Sequence, residues 1–101
     1  MNNLFGSDAG QLLTRYRPSP EVRVSVHDGG VVLLHAETGA VFSANRVGAM
    51  IWQRVAQTWD IGQVAASVSA EFQVPQQDAQ KDIAEFVAQL EAEGLVICDR
   101  N

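Results

Sequence analysis

A chain of 101 residues is the length of one domain, with room for one small core and none for a second catalytic lobe. Hydrophobic residues make up 47% and charged residues 19%, the balance of a folded globular chain and not of a disordered one. The net charge of −5 repels phosphate and the seven basic residues are scattered from Arg15 to Arg100, so the basic patch that a nucleic-acid partner needs is missing.

In chain order, residues 1–20 show no sustained period, gather Gly6, Ser7, Asp8 and Gly10, and end in Pro18 and Pro20. They read as a flexible N-terminal arm, with Leu12, Leu13 and Tyr16 as an alternative short docking helix. From Glu21 the pattern alternates: Val22, Val24 and Val26 fall on one face and Arg23, Ser25 and His27 on the other, a half-buried strand. Asp28, Gly29 and Gly30 then supply the positive φ of a tight hairpin turn. "VVLLHA" reads as a more fully apolar central strand, "ETG" as a second turn, and "AVFSA" as a short third strand. Together they predict an antiparallel meander.

After the meander the period becomes 3.6. Asn45 is placed to cap a first helix that carries Val47, Met50, Ile51 and Val55, with Trp52 widening the stripe. Asp60 with Gln63 forms a capping box for a second helix carrying Ile61, Val64, Ala65, Val68 and Phe72. Pro75 precedes a third helix with Ile83, Phe86, Val87 and Leu90 at i, i+3, i+4 and i+7, which stops at Gly94. "LVIC" is expected as a last extended segment over the core edge. Gly48 stands early in the first helix, where glycine costs roughly 1 kcal/mol against alanine, and close approach of that helix to the sheet is the expected reason.

The residue types for catalysis are not assembled. His27 and His35 lie on strands of one hairpin and are expected to face the surface; no Gly-x-Ser-x-Gly elbow exists, and Cys98 stands alone. A single cysteine excludes an internal disulfide and a cysteine-built metal site, and two histidines without a carboxylate pair lack ligand spacing. The glycines at 29 and 30 precede a strand and not a helix, so they form no phosphate cradle. No enzyme, cofactor or metal is expected. The first ten residues lack an export signal and no apolar run approaches the roughly 18 residues of a membrane span, which points to a cytoplasmic protein without membrane contact. Three helices with a small sheet also fit a winged helix, but the third helix carries Asp78, Asp82, Glu85, Glu91 and, at its end, Glu93 against Lys81 alone, the wrong sign for a DNA groove.

"LLHAETGAVFSANRVGAMIW", followed by two helical stretches and "DIAEFVAQLEAEGLV", resembles the PqqD family of peptide-binding domains, also called RiPP recognition elements, which serve ribosomally made and modified peptides. The resemblance spans roughly residues 21–97. It rests on the Thr38-Gly39 turn, on Asn45, Gly48 and Trp52, on the spacing of Asp82, Phe86 and Leu90, and on Gly94-Leu95-Val96. It implies an α+β fold of a three-stranded antiparallel sheet followed by three helices, a winged-helix-like arrangement over residues 21–98 with a short tail at 99–101. It further implies that a leader peptide adds as a strand to the edge of the third strand, at Val41, Phe42, Ser43 and Ala44, in a groove closed by Asp82, Glu85, Phe86 and Gln89 of the third helix. The implied partners are the leader peptide of a precursor and a modifying enzyme: a protease, a cyclase or a radical SAM enzyme. Asn45, Gly48 and Trp52 are expected to be architectural. A different class of function, an assembly subunit that uses the same free strand to form a homodimer or to dock on a larger enzyme, remains open at this stage.

Overall fold

The computed structural model describes residues 12–99. Its elements in chain order are β1 (Arg15–Pro18), β2 (Val22–His27), β3 (Gly30–His35), β4 (Val41–Ala44), α1 (Arg46–Ala56), α2 (Ile61–Phe72), α3 (Gln76–Ala92) and β5 (Val96–Asp99). β2, β3 and β4 form the expected antiparallel meander, while β1 and β5 pair as a separate antiparallel ribbon. The β2–β3 hairpin turns on Asp28 and Gly29, both at positive φ (50° and 83°), which is what a two-residue loop matched to strand twist requires.

Register decides which side chains meet the helices. Val31 pairs with Val26 and Ala44, and Leu33 with Val24 and Phe42, so these residues share one face of the sheet. Val31 and Leu33 are buried beneath α1, which packs on β3 and β4. β2 lies beyond that cover. Val24 and Val26, expected half-buried, are therefore 48% and 68% exposed although they sit on the core face. The same register corrects the expectation for His35: two residues on from Leu33, it points inward and is buried. Its Nδ1 accepts hydrogen bonds from the backbone N–H groups of Glu37 and Thr38, both at 3.2 Å, so the ring shapes the following turn. His27 is exposed, as expected.

The helix starts follow their capping residues. Asn45 Oδ1 accepts from the Gly48 N–H at 3.0 Å. Asp60 and Gln63 cap α2 reciprocally, at 2.7 and 3.0 Å. α2 ends where Gln73 takes the left-handed conformation, and Pro75 opens α3. Ile51, Trp52 and Val55 from α1, Ile61 and Val64 from α2, and Ile83, Val87 and Leu90 from α3 close over Leu33 and Leu95 to make the core. Trp52 is thus a core residue, in keeping with the architectural role expected of it.

The chain ends differ most from expectation. Residues 15–18, assigned to the arm, form β1, and Asp99, assigned to the tail, ends β5; Arg15 stands opposite Asp99 and Pro18 opposite Val96. Tyr16, weighed for a docking helix, is half-buried in β1 against the core. Arg15 anchors the ribbon to the start of α2, donating to the Thr58 carbonyl at 2.7 Å and lying 3.7 Å from the Asp60 carboxylate. Leu12 packs against the core, the Thr14 carbonyl accepts from the Ile61 N–H at 3.1 Å and Ser19 is buried, so residues 12–19 belong to the fold; residues 1–11 lie outside the described residues.

Candidate functional site

β4 pairs with β3 on one side and with no described residue on the other, so it ends the meander with alternate N–H and C=O groups unpaired. Its pleat turns Phe42 and Ala44 toward the helices, half-buried, and leaves Val41 61% exposed with Ser43 on the opposite face. α3 faces this edge across a shallow hollow of about 380 Å³ lined by Phe42, Ser43, Ala44, Val47, Asp82 and Phe86, among others. The rings of Phe42 and Phe86 meet edge to face, with centroids 5.5 Å apart and planes at 81°, and tie strand to helix.

Gly48 explains the spacing of these parts. A Cβ there would stand 2.6 Å from the Ala44 Cβ and 3.3 Å from Cε1 of Phe86. Only a residue without a side chain lets α1 sit between β4 and α3 at this distance, the architectural role expected of it.

The hollow gathers most of the residues expected at the site, but not all. Phe42, Ser43, Ala44, Asp82 and Phe86 line it together. Val41 lies on the outer face of β4, and Gln89 is an exposed residue of α3 further along the helix. Glu85 lines a different hollow of about 430 Å³, with Leu12, Ile61, Gln77 and Lys81. In its place the structure supplies Val47 and Ile51 of α1, which read in the sequence only as core positions of an amphipathic helix. The groove continues past them. A second hollow of about 390 Å³ shares Val47, Ile51 and Asp82 with the first and extends to Val68, Phe72 and Asp78. Phe72, expected on the buried stripe of α2, is 39% exposed there.

The groove is apolar at its floor and acidic at its rim. Asp78 and Asp82 stand one turn apart on α3, and neither is in an ion pair within the described residues. No group of three His, Cys, Asp or Glu side chains is placed to hold a metal among the described residues, and no helix there is long and apolar enough to cross a membrane. The arrangement can pair backbone and hold apolar side chains.

Comparison with known proteins bears on this arrangement. No curated protein matches the chain. Two solved structures do. One is TbiB1 in complex with the TbiA(beta) leader peptide, 26% identical, with a TM-score of 0.77 over 84% of this chain and 99% of that one. The other is lasso peptide synthetase B1 complexed with the leader peptide, 32% identical, with a TM-score of 0.76 over 82% of this chain and 98% of that one. The family described as coenzyme PQQ synthesis protein D matches residues 30–96, a stretch that begins with β3, contains both walls of the groove and ends in β5. With its meander, three helices and open β4 edge, this chain belongs to the PqqD family.

Proposed function

We propose that this protein is a recognition element that binds the leader segment of a ribosomally made precursor peptide as an added strand on β4 and presents it to a modifying enzyme. The observation that carries the reading is the unpaired β4 edge facing α3 across an apolar hollow. Strand addition satisfies such an edge, with backbone hydrogen bonds giving affinity and alternate side-chain pockets giving selectivity. Both solved structures that the chain resembles are leader-peptide complexes by name, and this chain spans nearly their whole length.

In this reading Val41, Phe42, Ser43 and Ala44 supply the backbone. Phe86 walls the groove and Asp82 meets a polar or cationic group of the peptide, with Glu85 and Gln89 on the flank of α3. The protein catalyses nothing. It raises the local concentration of precursor at a protease, cyclase or radical SAM enzyme in the cytoplasm.

A titration of the isotope-labelled protein with the leader of a precursor encoded beside it tests this. Amide shifts concentrated on Val41–Ala44 and on α3 from Asp82 to Gln89, saturating at micromolar peptide, are the expected outcome. Shifts confined to β2 or to the β1–β5 ribbon would overturn it. Asp82→Asn should weaken a basic leader several-fold at low salt and little at high salt, because a partly exposed charge pair is screened.

A further inference from the structure

The groove does not end at the acidic rim. Phe72, which lines the second hollow, also lines a third of about 430 Å³ with Arg46, Met50, Arg54 and Glu71. Arg46, Met50 and Arg54 follow at i, i+4 and i+8 and so form one stripe of α1, about 12 Å long. The stripe runs beside the one that carries Val47 and Ile51 into the first two hollows.

Neither guanidinium group makes a hydrogen bond or ion pair with any described residue. Arg54 is nevertheless held in place: its guanidinium carbon lies 5.0 Å from the centroid of the Trp59 ring, a cation–π contact that orients the planar fork. Its Nε is buried without a partner among the described residues, an arrangement that costs stability in the free protein. Two arginines and one glutamate line this hollow, which leaves it positive by residue count on a molecule of net charge −5.

We infer that the third hollow is a carboxylate subsite, in which an Asp or Glu side chain of the peptide bound at β4 meets Arg46 and Arg54 after the chain passes over Phe72. The inference rests on the reading of β4 as the peptide-binding edge and adds an order to the ligand. A strand-forming segment comes first, an apolar side chain in the second hollow follows, and an acid stands beyond it. Guanidinium groups select carboxylates by charge-assisted hydrogen bonds, and the Trp59 contact holds that of Arg54 ready for one.

Selection from a random 20-residue peptide library by messenger-RNA display, run in parallel on the full chain and on its Arg46→Gln/Arg54→Gln form, tests the subsite. An Arg46→Gln single form, with thermal melts on all proteins, guards against a fold lost with the Trp59 contact. The expected result is roughly tenfold enrichment of Asp or Glu at one fixed spacing from the apolar anchor, lost in the double form and reduced in the single one. Peptides enriched for an apolar anchor alone, or with the same acid preference on the variants, would overturn the subsite and leave strand addition standing. Enrichment of no peptide that shifts β4 amides would remove both.

Discussion

At Gly48 the neighbour that an added methyl group would strike is the Cβ of Ala44, which is fixed to the backbone and has no rotamer to escape into. Alanine would gain up to about 1 kcal/mol of helix propensity, but overpacking of this kind costs about 1–3 kcal/mol and requires β4 or α1 to move. Gly48→Ala should therefore lower the melting temperature by several degrees and weaken peptide binding at the same time. Retained stability with retained binding would show that the spacing is not tight. His35 makes the complementary case. Replacing it with alanine leaves the N–H groups of Glu37 and Thr38 without their acceptor and opens a cavity beside Gly94, a loss of about 2–4 kcal/mol by chemical denaturation.

Among the elements, β4 and β1 carry the most. On β4 the amides directed away from β3 should exchange quickly in the free protein and become protected once a peptide adds; exchange unchanged at saturating peptide would argue that binding does not use the edge. β1 predicts something different: a chain shortened to begin at residue 19 loses the strand partner of β5 and the half-buried Tyr16, and should be destabilised by about 2 kcal/mol or more. A free arm would be removed at no cost. The difference between these elements also explains what could be read from sequence. The Asp28-Gly29 turn, the Asn45 cap and the Asp60–Gln63 box are local devices, each legible within four residues, and all three hold. β1 carries no comparable signal, since the alternation of "RYRP" lasts only four residues and ends in Pro18, and its partner lies some eighty residues away. The exposure of Val24 and Val26 and the burial of His35 depend on which strands α1 covers, a tertiary fact that a strand's own alternation does not contain. Likewise Phe42 and Phe86 entered the site through family likeness, whereas Val47, Ile51 and Phe72 looked like any apolar stripe.

Over the whole molecule the charge is unevenly placed. Arg15, Arg17, Arg23, Arg46 and Arg54 precede α2, while Asp60, Glu71, Asp78, Asp82, Glu85, Glu91, Glu93 and Asp99 follow from its cap onward, with Lys81 and Arg100. The sheet and α1 are close to neutral, and the negative field belongs to α2 and α3. A winged helix would present its last long helix to phosphate, and here that helix is the most acidic surface. Duplex DNA should accordingly show no retarded band with micromolar protein even at low salt, where electrostatic binding is strongest. The β1–β5 ribbon has a further consequence. Because Arg15 stands opposite Asp99, these two positions, 84 residues apart in the chain, lie about one strand spacing apart, roughly 5 Å. A domain inserted before Arg15 and one inserted after Asp99 would therefore start from neighbouring points of the molecule, and a probe at each position would report opening of the ribbon as a change in one short distance.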